Sequence, residues 1–305
     1  MSTLKVANIH FETTGTNRLE YDANNNINFI TDGGNFTISV NGTESLNVNA
    51  SSVMISGANI LASIVVTRSH IAGLTLSYSN TTVFGVAAGQ STDSTHAETM
   101  TQASDYTKST SAWAVGTGNG SLDTGTIANS TWYHVYQIKR TDTGVTDFLI
   151  STNASSPTMP ASYTYKRRIG SLKTNGSAQF INFFQRGDRF TWVVPVEDVA
   201  VATHSTTAST RTLASVPLGI ECVADLFITT YATAALFSMF THPSQTDTAP
   251  NTVLMFSFQS PASAYGTAQF SLPVNSSQAL RTRSSIDGSL LYIIVNGWTD
   301  YRGRI

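Results

Sequence analysis

Residues 19–55 hold five short alternating segments: Leu19-x-Tyr21, Ile27-x-Phe29, Phe36-x-Ile38-x-Val40, Leu46-x-Val48 and Val53-x-Ile55. Their starts lie 8, 9, 10 and 7 residues apart. Asn24-Asn25-Asn26, Asp32-Gly33-Gly34-Asn35, Asn41-Gly42 and Ser56-Gly57 punctuate them as turn or bend signals. A period of two puts the apolar residues of each segment on one face. A single ribbon of this kind has almost nothing to bury that face against, and a small unit without a core is not stable. The remedy is further copies of the same ribbon wound about a shared axis, an intertwined β stem.

Strand signals continue through the rest of the chain. Leu74–Tyr78, Val83–Val86, Trp113–Val115 and the aromatic run Trp132–Lys139 come first. Asp142-Thr-Gly144 turns that run back into Val145–Ile150, a hairpin. Asn175-Gly176 suits a type I′ turn. Phe190–Val194, Ile220–Tyr231, Ala235–Phe240, Val253–Phe258, Ala268–Leu272 and Ser289–Val295 follow. The last is apolar at nearly every position, so both of its faces should be covered. Residues 92–108 are the best candidate for a short helix, weakened by their Thr and Ser content. The expected fold is all-β: a stem over residues 1–60, then β-sandwich or jelly-roll domains over 61–184 and 185–305.

Composition narrows the function classes. Charged residues make up 12% of the chain, about half the usual ~25%. Ser, Thr and Asn supply about a third, which suits exposed sheet faces and turns better than helices. The net charge of −2 gives no case for nucleic acid or an anionic membrane. No apolar run reaches the ~18 residues of a membrane span, and the N-terminus lacks the apolar core of a signal peptide. Synthesis in a host cytoplasm is expected, with any later exterior location reached as part of a particle. Cys222 is the one cysteine, so no disulfide forms within a chain; it reads as a small buried residue.

Catalytic groupings are sparse. Glu197-Asp198 and Asp93 with Glu98 are the closest acids, but neighbours in a strand point to opposite faces and would not converge on a glycosidic bond. The six histidines, His10, His70, His96, His134, His204 and His242, have no second ligand at metal spacing. No catalytic residue, metal site or cofactor is therefore assigned. Arg186-Gly187-Asp188 spells an adhesion tripeptide but reads as a bend between strands. Lys166-Arg167-Arg168, the only run of three like charges, reads as a solvated strand or a contact between subunits or virion proteins. Trp113, Trp132, Trp192 and Trp298 could stack on sugar rings, although most aromatics in such folds are core. Trp298, just past the last strand, looks the most exposed of them, and it is taken with Tyr301 as the candidate receptor contact. Leu19, Tyr21, Ile27, Phe29, Phe36, Ile38 and Val40 are the candidate inter-subunit positions of the stem.

Several strings carry a family likeness. The opening Ser2–Gly15 with Asn17–Tyr21, the middle segments Trp113–Gly118, Leu122–Ala128, Trp132–Tyr136, Ser155–Pro160 and Tyr163–Gly170, then Gln185–Asp188 and Gly297–Arg304, resemble virion and tail-fibre proteins of tailed bacteriophages and prophages. The resemblance covers essentially the whole chain. It implies a non-enzymatic homotrimeric tail fibre or spike that contributes to host-surface attachment. The N-terminus would meet other virion proteins and the C-terminal part would face host glycan. A head or neck fibre of the same particle is one alternative. A polysaccharide depolymerase is another, which would need a longer β-helical region and a convergent acid pair.

Overall fold

The computed structural model describes residues 18–21, 27–30, 36–40, 43–49, 52–55, 58–59, 67–251 and 257–304. The opening string Ser2–Gly15 lies outside the described residues. The chain divides into two compact units, Met1–Val65 and Val66–Ile305. Every regular element among the described residues is a strand, so the protein is all-β.

In the first unit, β1 (Arg18–Tyr21) pairs antiparallel with β2 (Ile27–Ile30). A second, four-stranded antiparallel meander runs β3 (Phe36–Val40), β4 (Thr43–Asn49), β5 (Ser52–Ile55) and β6 (Ala58–Asn59). The register sets apolar positions opposite one another: Leu19 with Phe29, Tyr21 with Ile27, Phe36 with Val48, Ile38 with Leu46, Leu46 with Ile55 and Val48 with Val53. Each of the five alternating segments is thus a strand, and the apolar positions of each ribbon share one face.

The second unit continues with β7 (Ile71–Gly73), β8 (Leu76–Asn80), β9 (Val83–Val86), β10 (Gly89–Thr92), β11 (Thr99–Gln102) and β12 (Tyr106–Ala112). Next come β13 (Gly120–Leu122), β14 (Trp132–Arg140), β15 (Thr146–Ser151), β16 (Tyr163–Lys173), β17 (Phe183–Arg186) and β18 (Arg189–His204). The last are β19 (Ser209–Thr212), β20 (Cys222–Ala232), β21 (Leu236–Thr241), β22 (Phe258–Ser260), β23 (Ala264–Val274), β24 (Ala279–Ser284) and β25 (Ser289–Thr299). They build one twelve-stranded sheet in the order β16-β14-β15-β13-β12-β9-β8-β17-β18-β25-β20-β23, with a four-stranded sheet, β19-β24-β21-β22, and a three-stranded one, β11-β10-β7.

The larger of two buried hydrophobic clusters runs across this unit, the smaller being Tyr136, Ile138, Leu149 and Tyr163. Leu76, Phe84, Val135 and Ile169 belong to the larger together with Phe190, Trp192, Ile228, Phe240, Leu280, Ile293 and Trp298. The boundary expected near 185 falls inside β17, which pairs with β8 on one side and β18 on the other. At its centre Trp298 stacks on Phe190 with ring centroids 5.1 Å apart and meets Trp132 edge-on at 5.2 Å. Only glycine fits at 297: a Cβ there would lie 2.2 Å from the Phe190 carbonyl oxygen.

Local expectations divide. The 132–150 hairpin forms as β14 and β15. The helix expected over 92–108 does not. The Asp93 carboxylate accepts hydrogen bonds from the amides of Thr95, Ala97 and Glu98, and that turn feeds β11 instead. The 175–176 turn is likewise built by a side chain. The Asn175 side-chain oxygen Oδ1 accepts from the Ser177 and Gln179 amides, and Ala178, not Gly176, takes positive φ. Strand β25 is covered on one face alone within a chain: Leu291, Ile293 and Val295 are fully buried, while Leu290, Tyr292 and Ile294 are half-open.

Candidate functional site

Residues 300–303 help form an open cleft of about 410 Å³ lined by Ala154, Arg168, Ile220, Glu221, Asp300, Tyr301 and Gly303. Arg168 comes from β16 and Asp300 directly follows β25. They form a bidentate ion pair, Nη1–Oδ2 2.5 Å and Nη2–Oδ1 2.7 Å, at 10% and 1% side-chain exposure. The Arg302 amide adds a bond to Asp300 Oδ1 at 2.7 Å. Burial works to raise the Asp300 carboxyl, but the charge and hydrogen bonds of Arg168 outweigh it and hold the group below the ordinary carboxylate value. Asp300 therefore stays ionised and committed, the opposite of a general acid. His134, whose Nδ1 lies 3.0 Å from Ser171 Oγ, is pushed down to about 4 by burial and by Arg168, so it is neutral at pH 7.

The expected site residues land unevenly. Trp298 is fully buried in the core and offers no ring face to a ligand, because β18 and β14 pack across it. Tyr301, 40% exposed, stands on the cleft rim. Among the four tryptophans only Trp113 is partly open. It lines a second cleft of about 320 Å³ with Asp123, Thr124, Thr158, Met159 and Pro160, and its indole N–H donates to the Phe148 carbonyl. Aromatic spacing alone could not separate it from the buried three.

Lys166-Arg167-Arg168 is not the solvated run its composition suggested. Arg167 is 2% exposed and Arg168 is locked on Asp300, because the Ser94 amide ties the 91–98 segment to the Lys166 carbonyl and Asp300 closes on Arg168, while Lys166 itself is half-buried. Leu19, Tyr21, Ile27, Phe29, Phe36, Ile38 and Val40 all occupy strand positions in the first unit. Asp188 of the Arg-Gly-Asp bend is tied to Arg302 and Arg304. Glu197 is exposed, whereas Asp198 turns inward to accept from the Ser215 amide and hydroxyl. Cys222 is buried, which raises its thiol well above the ordinary value.

A larger feature escaped the sequence reading. On the open face of the long sheet, Phe227, Thr229 and Tyr231 of β20 stand between Ile294, Tyr292 and Leu290 of β25 and Gln269, Thr267 and Tyr265 of β23. These nine positions hold no charge. Tyr231 and Tyr265 pack at 4.9 Å, Tyr265 and Tyr292 at 6.4 Å, and Thr229 and Thr267 share a 2.8 Å hydroxyl bond. Tyr265 is 61% exposed, and Val194 and Val201 of neighbouring β18 are 72% and 60% exposed. Among the described residues, no three His, Cys, Asp or Glu side chains cluster as metal ligands, and no helix is long and apolar enough to cross a membrane. Compared with known proteins, the chain matches no family model and no curated protein.

Proposed function

We propose that this chain is a structural protein of a tailed-phage virion, a non-enzymatic homotrimeric tail fibre or spike that contributes to host-surface attachment. The observation that carries the reading is the uncharged nine-residue face of β20, β23 and β25. Its β25 strand, beside the central β20, has one apolar face in the core and the other half-open. Packing against further copies would cover nine positions that carry no charge of their own, with Glu197 of β18 at their edge, as assembly interfaces deplete charge at their centres. The aligned apolar positions of the first unit ask for the same partner, since two- and four-stranded ribbons cannot build a core alone. The phage setting rests on the likeness of the opening and closing strings to tail-fibre proteins. Trp113 and Tyr301 are the aromatic groups that line the two clefts and could meet a sugar ring there, and three weak sites on one rigid trimer gain by avidity.

Light scattering on the eluted full chain is the direct test. A mass of three times 32.7 kDa is expected. Leu290→Asp with Ile294→Asp should release monomers that keep their β circular dichroism. A wild-type monomer at micromolar concentration would overturn the trimer. Release of reducing sugar from host capsule or lipopolysaccharide would overturn the non-enzymatic reading, and labelled chain at the head or neck in electron micrographs would overturn the tail assignment.

A further inference from the structure

Gln137 of β14 and Arg167 of β16 are direct cross-strand partners, so their side chains stand together on one face. It is the face that carries Val135 and Phe148 into the core, and both residues are buried, at 0% and 2% exposure. Three donors there, Arg167 Nε, Arg167 Nη2 and Gln137 Nε2, have no hydrogen-bond partner among the described residues. The other end of the Gln137 amide is fixed: its Oε1 accepts from Ser91 Oγ at 2.6 Å. Nε and Nη2 form the side-on fork of a guanidinium, the edge with which Arg140 grips Asp142 at 2.8 and 2.6 Å.

Asp93 lends this cation Coulombic support, but no carboxylate among the described residues hydrogen-bonds its fork. Arg168 is held by Asp300, while Arg302 and Arg304 share the single carboxylate of Asp188. On the covering segment, Asp93 spends its oxygens on the amides of Thr95, Ala97 and Glu98, and Glu98 is paired with Lys139. Arg168, Arg302 and Arg304 each have a carboxylate partner, whereas the buried Arg167 fork has none within hydrogen-bond reach. Buried charge is tolerated when it is paired and hydrogen-bonded.

We propose that Arg167 and Gln137 build an internal site for one small oxyanion of the sulfate or phosphate class. The ion accepts from the Arg167 fork and the Gln137 amide, and it ties β14 and β16 to the covering 91–98 segment. The burial selects a small ion over a bulky acidic sugar, and the planar fork selects an oxyanion over chloride. The site does not depend on the trimer.

Calorimetric titration of sodium sulfate into the full chain, dialysed in chloride at matched ionic strength, tests it. Saturable binding of one ion per chain is expected. Arg167→Met should weaken it about 10- to 100-fold, and Lys166→Gln should leave it unchanged. Gln137→Glu sets a carboxylate against the fork. That variant should lose sulfate binding and melt higher than wild type in sulfate-free buffer, which decides the matter even if Arg167→Met does not fold. Absence of saturable heat, unchanged affinity in Arg167→Met (an adventitious ion only), or retained sulfate binding in Gln137→Glu would each overturn the site.

Discussion

Arg168 and Asp300 lie 132 residues apart in sequence and meet in a two-point ion pair that closes the C-terminal end of the chain onto β16. Removing one partner strands the other charge in the interior, at a cost of about 3–5 kcal/mol. Arg168→Met should lose that much in urea unfolding, and Arg168→Met with Asp300→Leu should recover part of it. Because the folded Asp300 carboxyl titrates below its unfolded value, its contribution is present above the unfolded value and fades as the pH falls through the folded one. The double variant should therefore lose less stability than wild type on acidification below pH 4, read from urea midpoints.

Histidine sets a second, earlier acid window. Burial is the largest cause holding both His134 and His204 at about 4, against 6.5 for the free side chain. The unfolded chain then binds protons that the folded chain refuses. Stability is complete above pH 6.5 and falls toward pH 4, by up to about 3 kcal/mol per histidine. His204 stacks on Phe240 at 5.8 Å, and neither of its ring nitrogens has a hydrogen-bond partner among the described residues. Replacement by an apolar ring should cost little at pH 7. His204→Phe is expected to match wild type there and to melt above it at pH 4.5; equal melting at both pH values would refute the assignment.

What the sequence made legible was local. Alternation with period two places Leu19 to Ile55 on strands without any long-range information, and the Asp142–Gly144 turn announces its hairpin in the same way. The misread features depend on distant chain. Trp298 lies inside β25, which runs on to Thr299 past the apolar stretch, and Phe190 and Trp132 pack across it. Arg167 and Arg168 looked solvated because their cover comes from residues 91–98 and 300. The helix pattern at 92–108 lost to one side chain, Asp93, whose bonds to three amides lie below the resolution of a periodicity count. The uncharged sheet face needed the register, because Phe227, Tyr265 and Leu290 are remote in sequence.

Gly297 probes how tightly β25 crosses β18. A methyl group there would meet backbone, the Phe190 carbonyl oxygen at 2.2 Å and the Thr191 Cα at 2.9 Å, and backbone cannot swing aside as a side chain can. Gly297→Ala should destabilise the protein by about 1–3 kcal/mol or more in chemical denaturation. Gly176→Ala is the matched control: a Cβ at that position has nothing within 4 Å, and its φ is not positive. A loss at 297 no larger than at 176 would show that the strands can separate at little cost.

The large cluster that spans the second unit predicts where the chain can be cut. Residues 66–305 contain every strand of the twelve-stranded sheet and should fold as one cooperative body without the first unit. Cutting after 184 instead removes β18 from β17, strips Phe190 and Trp298 from Trp132, and exposes Ile169 and Leu76. It also leaves Arg168 buried without Asp300. A 66–184 fragment should be insoluble or lack a cooperative thermal transition, whereas 66–305 should melt in one step by calorimetry. A sharp transition from 66–184 alone would mean that the β8–β17 junction joins two independent domains instead of crossing one core.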